Sequence, residues 1–177
     1  VRPVDVNFSH WDCTLERTRR EDRFALRLGL RMAKGLSETD GDAIVEARDG
    51  KPFASIEDLW LRAKLHVAPL ERLAEADAFG SLGLNRRDAL WKIKGLGDTQ
   101  LALFTAADER DEQFRPEAVE PEVSLTPMKA GREVVEDYLS KGLTLRRHPV
   151  AFLREELTRR RIIPCADLKS IRHGQRV

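Results

Sequence analysis

Met32-Ala33-Lys34-Gly35-Leu36-Ser37-Glu38-Thr39-Asp40 is the stretch on which the fold turns. Ser37 is a good N-cap, with the acidic Asp40 three positions on, and Ile44, Val45 and Arg48 continue at helical spacing, so a helix starts after Ser37. Gly35 just ahead of the cap permits a tight turn and lets the backbone approach a ligand closely. The unpaired N–H groups of the following first turn, with the helix dipole behind them, then face outward toward an anion. Lys34, Gly35, Leu36 and Ser37 are therefore candidate phosphate-binding residues that would read no base edge. The competing reading is an ordinary glycine turn before a capped helix.

The same chemistry recurs downstream. Ser55-Ile56-Glu57-Asp58 caps a short helix carrying Leu59, Trp60 and Leu61, and Pro69 sits at the start of another with Leu70, Leu73 and Ala74 on one face. Asn85-Arg86-Arg87-Asp88 caps a fourth with Ala89, Leu90 and Ile93, expected to close at Gly95. Ile44, Val45, Leu59, Leu73, Phe79, Leu82 and Leu90 are the expected core of one helical unit. The second candidate hairpin, Lys64-Leu65-His66-Val67-Ala68-Pro69, has no glycine, which puts a phosphate contact there in doubt.

Ahead of this unit, Val1, Val4 and Val6 suggest an edge strand. Leu26, Leu28 and Leu30 alternate with Arg27, Gly29 and Arg31, as in a second strand with its arginines turned out. Behind it, residues 107–122 hold seven acids against Arg110 and Arg115, with two prolines, and read as a linker. Thr126-Pro127 then opens a helix expected to bury Val134, Val135, Tyr138 and Leu139 and to end at Gly142. A further helix follows His148-Pro149, with Val150, Leu153 and Leu157 inside.

The composition fits a mainly α chain: 177 residues, 41% hydrophobic, 34% charged, 6% aromatic and a formal charge of +1. That near-zero total conceals segregation, because residues 141–177 hold ten basic and three acidic side chains. No apolar run approaches the roughly 20 residues that a bilayer requires, so no membrane is expected as partner. Cys13 and Cys165 cannot form a disulfide framework, which suits a cytoplasmic location. A start at Val1 and an end in Gly174-Gln175-Arg176-Val177, like the opening of a strand, suggest a piece of a longer protein.

Taken in order, Val1-Arg2-Pro3-Val4-Asp5-Val6-Asn7, Trp11-Asp12-Cys13, Leu26 to Leu36, Ile44-Val45-Glu46-Ala47-Arg48, Ser55-Ile56-Glu57-Asp58-Leu59, Ala76-Asp77-Ala78-Phe79-Gly80-Ser81-Leu82-Gly83 and His148-Pro149 cover nearly the whole chain. This series resembles the bacterial C-family DNA polymerase α subunit, and within it the error-prone, translesion branch of the mutasome. The resemblance implies a connector from the fingers over 1–32 and a tandem helix-hairpin-helix domain over 33–94. A clamp-binding-like motif and acidic linker follow over 95–122, and a helical connector into an OB domain over 123–177. It also implies that the catalytic aspartates lie upstream. This segment would then hold no catalytic residue and no cofactor, magnesium belonging to the parent polymerase, and its partners would be double-stranded DNA, the sliding clamp and mutasome accessory proteins.

Gln100-Leu101-Ala102-Leu103-Phe104 looks like the pentapeptide by which bacterial polymerases dock on the clamp, an amide and apolar anchors suiting a groove with pockets. Gln100, Leu101, Leu103 and Phe104 are the candidate clamp-binding residues, expected at the surface in an extended or irregular conformation; the alternative is packing on the preceding helix. His10 and Cys13 have no second pair at ligand spacing, so no metal site is expected. Trp11, Trp60 and Trp91 are of a type that could stack on unpaired bases, but Trp60 and Trp91 fall in amphipathic helices and core packing is the expectation for them. The leading function is a non-catalytic DNA-gripping and clamp-tethering segment, with a protein-interaction scaffold as the alternative. A nuclease or glycosylase of the helix-hairpin-helix kind lacks its lysine or aspartate in a pocket after the hairpin.

Overall fold

The computed structural model describes residues 1–18, 23–97 and 125–170. Six α-helices dominate it: α1 (Glu38–Ala47), α2 (Ile56–Ala63), α3 (Val67–Glu75), α4 (Arg86–Gly97), α5 (Ala130–Lys141) and α6 (Arg154–Arg159). The only sheet among the described residues is an antiparallel pair, β1 (Thr14–Arg17) on β2 (Phe24–Arg27), with Thr14 opposite Arg27 and Arg17 opposite Phe24. The mainly α architecture is the one expected, with the strands shifted. Val1 to Val6 contributes an isolated bridge from Arg2 to Arg27 in place of a strand, and β2 ends at Arg27, before Leu28.

Helix starts follow the cap residues. Ser37 Oγ accepts from the Asp40 N–H at 3.1 Å and Ser55 Oγ from the Asp58 N–H at 3.1 Å, each satisfying a first-turn donor. Asn85 Oδ1 accepts from the N–H groups of Arg87 and Asp88, both at 3.0 Å. α4 runs through Gly95 to Gly97, because Gly95 is not among the glycines that take the left-handed conformation a stop requires.

One core joins α1 to α4, with Ile44, Ile56, Leu59, Leu70, Leu73, Phe79 and Ile93 all but inaccessible and Val45, Leu82 and Leu90 packed at its margin. Val4, Val6, Leu28 and Leu30 enter the same core. Polar side chains thread the N-terminal segment through it. The buried Asp5 carboxylate accepts from the Ser81 N–H at 2.8 Å, and the Asn7 amide makes a paired contact with the backbone of Phe53, at 2.7 and 3.0 Å. Arg48 donates to the carbonyls of Val6 and Ser9, and its burial lowers its pKa from the ordinary arginine value. Arg62 closes the α1–α2 loop by donating to the carbonyls of Ala47 and Lys51 while lying over the Phe53 ring, 4.7 Å from its centre.

Several sequence expectations need correction. Arg27 does not turn outward: it is buried, and it holds Glu16 at 2.8 Å while Leu26 is left partly exposed. Glu16, which also receives Arg2, lies below its usual carboxyl range chiefly because of that Arg27 bond. α5 begins at Ala130 rather than Thr126 and turns a different face inward, with Glu133, Val134, Asp137 and Ser140 buried and Val135, Tyr138 and Leu139 exposed. The cause is an ionic partner on α4, described below, which outweighs the apolar pattern. Val150 and Leu153 are likewise exposed, on a 3-10 turn (Pro149–Leu153) that precedes the short α6.

Candidate nucleic-acid interface

Two hairpins of matching build precede α1 and α3. In the first, Ala33 is buried, Lys34 exposed, Gly35 takes φ +83°, Leu36 is buried and Ser37 caps α1. In the second, Ala63 is buried, Lys64 is exposed with φ +52°, Leu65 is buried and His66 precedes α3. The turn lacking glycine thus adopts the same left-handed step on Lys64, immediately before its leucine as Gly35 is before Leu36, with one residue fewer after the buried alanine. A lysine there costs roughly 1–2 kcal/mol of backbone strain that a glycine avoids. In both, the buried leucine anchors the turn that leads into the next helix, and in α1 one first-turn donor, the Asp40 N–H, is taken by the Ser37 cap.

The hairpins differ in electrostatics. α1 carries Glu38 and Asp40 in its first turn, which oppose an incoming anion, whereas the first turn of α3 has no acid. Lys34 is committed within the chain: its Nζ donates to the carbonyls of Tyr138 and Leu139 at 3.0 and 2.9 Å, and its N–H to the Ser140 carbonyl at 2.9 Å. A cation at the last carbonyls of α5 complements the negative end of that helix dipole. A side chain added at Gly35 would lie 3.2 Å from Arg72 Nε, a tight contact that the half-exposed arginine would have to yield, so the positive φ is the main reason for glycine there. Lys34, Gly35, Leu36 and Ser37 are thus brought together as one turn, with the Lys34 ammonium directed at α5.

An ionic cluster that the sequence did not announce sets the position of α5. Arg86, only 2% exposed, donates to Glu75 O at 2.8 Å, Glu133 Oε2 at 2.7 Å and Asp137 Oδ1 at 2.6 Å. Lys141 reaches Asp137 Oδ1 and the Ala76 carbonyl, Thr144 donates to Asp137 Oδ2 at 2.7 Å, and Arg146 bridges Asp77 and Glu133. Burial works to raise the Asp137 carboxyl, but the bonds from Thr144, Lys141 and Arg86 outweigh it and hold the group below its ordinary value. No buried side-chain nitrogen or oxygen among the described residues lacks a partner. An arginine at the second position of a cap sequence reads as a solvated surface residue, so periodicity gives no signal for this cluster.

A sequence model for the helix-hairpin-helix motif matches residues 1–89, half of the chain and the part that builds both hairpins. The chain belongs to the helix-hairpin-helix family. It is 55% identical over 99% of its length to error-prone DNA polymerase 2 of Agrobacterium fabrum, 52% to an error-prone DNA polymerase of Allorhizobium ampelinum and 50% to error-prone DNA polymerase 2 of Rhizobium meliloti. It spans 16% of the length of each of these curated relatives. The resemblance to the error-prone branch of bacterial polymerases is therefore met by relatives that carry that name.

Gln100, Leu101, Leu103 and Phe104 lie outside the described residues, as do the acidic linker and the residues expected to enter an OB fold. No three His, Cys, Asp or Glu side chains are grouped to hold a metal ion, and no helix is long and apolar enough to cross a membrane, among the described residues. Trp60 packs against the core as expected, but Trp91 does not: it is 54% exposed on the outer face of α4.

Proposed function

We propose that this chain is a non-catalytic, duplex-binding segment of an error-prone DNA polymerase that acts in translesion synthesis, holding DNA by its phosphates through the two hairpins. The repeated hairpin, a left-handed step then a buried leucine then a helix N-terminus, carries this reading, because two such turns offer backbone donors without base-reading side chains. The first hairpin offers the backbone N–H groups of Gly35 and Ser37, those of Lys34 and Leu36 being bonded within the chain, and the second adds the exposed positive charge of Lys64. The parent chain is the enzyme, a cytoplasmic polymerase whose catalytic carboxylates and magnesium lie outside this segment.

The test is duplex affinity of Gly35→Val against Gly50→Val. Both glycines have φ near +70 to +83°, so both variants carry the same backbone strain, but Gly50 stands in open space away from the hairpins. Loss of binding confined to Gly35→Val, equal across duplex sequences, is the expected result. Equal affinity of both variants, with helix content intact, would sink the hairpin contact.

Tethering to the sliding clamp through Gln100, Leu101, Leu103 and Phe104 is a separate part of the proposal, supported by the residue types of that pentapeptide. Replacing Leu103 and Phe104 by alanine should weaken clamp binding by roughly 2 kcal/mol or more per anchor and leave duplex affinity unchanged. Clamp binding equal for both forms would instead favour a scaffold for mutasome accessory proteins.

A further inference from the structure

α4 turns an unusual stripe to solvent. Arg87, Trp91 and Lys94 are exposed at i, i+4 and i+7, on the side opposite the buried Ala89 and Ile93. Trp91 is the most exposed tryptophan of the chain and has cationic neighbours one helical turn to either side, about 5–6 Å away. One Arg87 nitrogen donates to the Thr126 carbonyl at 2.6 Å, which fixes that side chain. Gly95, the i+4 neighbour of Trp91, sits inside the helix without a left-handed φ, and a Cβ there would meet nothing within 4 Å. Neither turn geometry nor close packing therefore requires glycine at 95, although glycine weakens a helix by about 1 kcal/mol relative to alanine. Its effect is to leave the helix surface open one turn beyond Trp91.

We propose that this face of α4 binds single-stranded DNA, a base stacking on Trp91 over Gly95 while the flanking phosphates meet Arg87 and Lys94. Charge complementarity selects a polyanion, and the open indole selects one with free base faces, which unpaired strands present and a duplex hides within its stack. The assignment rests on the nucleic-acid reading above but uses a different element and a different form of DNA. It gives the segment a second contact, to unpaired strand, beside the duplex held at the hairpins.

The experiment measures anisotropy of a labelled 20-nucleotide oligo(dT) and of a blunt 20-base-pair duplex with the 177-residue chain and its variants. Trp91→Ala should weaken oligo(dT) binding on the order of tenfold, Trp91→Phe should retain most of it, and Lys94→Glu should weaken it and reduce its salt dependence. Gly95→Leu should stabilise the helix yet weaken oligo(dT) binding, a combination that a purely structural glycine would not produce. Duplex affinity should stay within twofold in all four. Oligo(dT) affinity unchanged in Trp91→Ala, or an equal loss on duplex, would overturn the assignment. A failure of the hairpin reading appears separately, as duplex binding indifferent to Gly35→Val.

Discussion

Lys64 shows how a single residue can hold a turn that its type disfavours. Its left-handed backbone is sustained because Ala63 and Leu65 on either side are buried and leave the intervening residue no other path. Replacing it with glycine removes the strain and adds some unfolded-state entropy, for a net gain of about 0.5–1 kcal/mol. Lys64→Gly should therefore raise the urea midpoint while lowering duplex affinity, since the exposed charge goes with the strain. A variant that loses stability would mean that the lysine side chain is fastened to the fold in some other way.

Among elements, the seating of α1 on the N-terminal segment depends on the absence of a side chain. The Trp11 ring packs against Gly41 inside α1, where an added Cβ would fall 2.5 Å from the ring atom Cε3. Alanine ordinarily improves a helix interior by about 1 kcal/mol. Here Gly41→Ala should destabilise by about 1–3 kcal/mol, because the indole must move and the residues beneath it with it. Thermal unfolding gives the sign directly, and a stabilised Gly41→Ala would show that Trp11 shifts at no cost.

For the whole molecule, the docking of α5 on the helix-hairpin-helix unit is governed by charge. Arg86→Ala removes the guanidinium shared by Glu133 and Asp137 and leaves only Lys141, Thr144 and the more exposed Arg146 to hold them, a loss of up to about 3 kcal/mol, below that of a wholly unpaired buried charge. Denaturation by urea should register that loss, with a lower midpoint or a separate early transition as α5 leaves. The pH dependence follows from the depressed Asp137 carboxyl. Its stabilisation is complete above the ordinary aspartate pKa of about 3.9 and is lost as pH falls through the lower folded value. Wild-type stability should accordingly decline below about pH 4, and the decline should be shallower in Arg86→Ala; parallel acid limbs would remove Asp137 from the account.

Helical caps, glycine turns and the apolar stripes of α1 to α4 were legible from residue order because each is a local interaction: Ser37 with Asp40, Ser55 with Asp58, Asn85 with Asp88. The same locality made the first hairpin readable and left the second, placed at Lys64 to Pro69 but without a glycine, with its turn conformation unread, since φ at Lys64 is imposed by packing on both sides and not by the residue's own preference. The inward face of α5, the burial of Arg27 and Arg86 and the exposure of Trp91 were decided by partners distant in the chain. Hydrophobic periodicity counts apolar side chains, so it cannot register a helix whose buried face is made of carboxylates matched to an arginine 47 and 51 residues away. What sequence alone determined here is the set of helices and their turns; which face each helix presents, and hence where charge and aromatic surface are left exposed, was set by long-range ion pairing and packing in the tertiary structure.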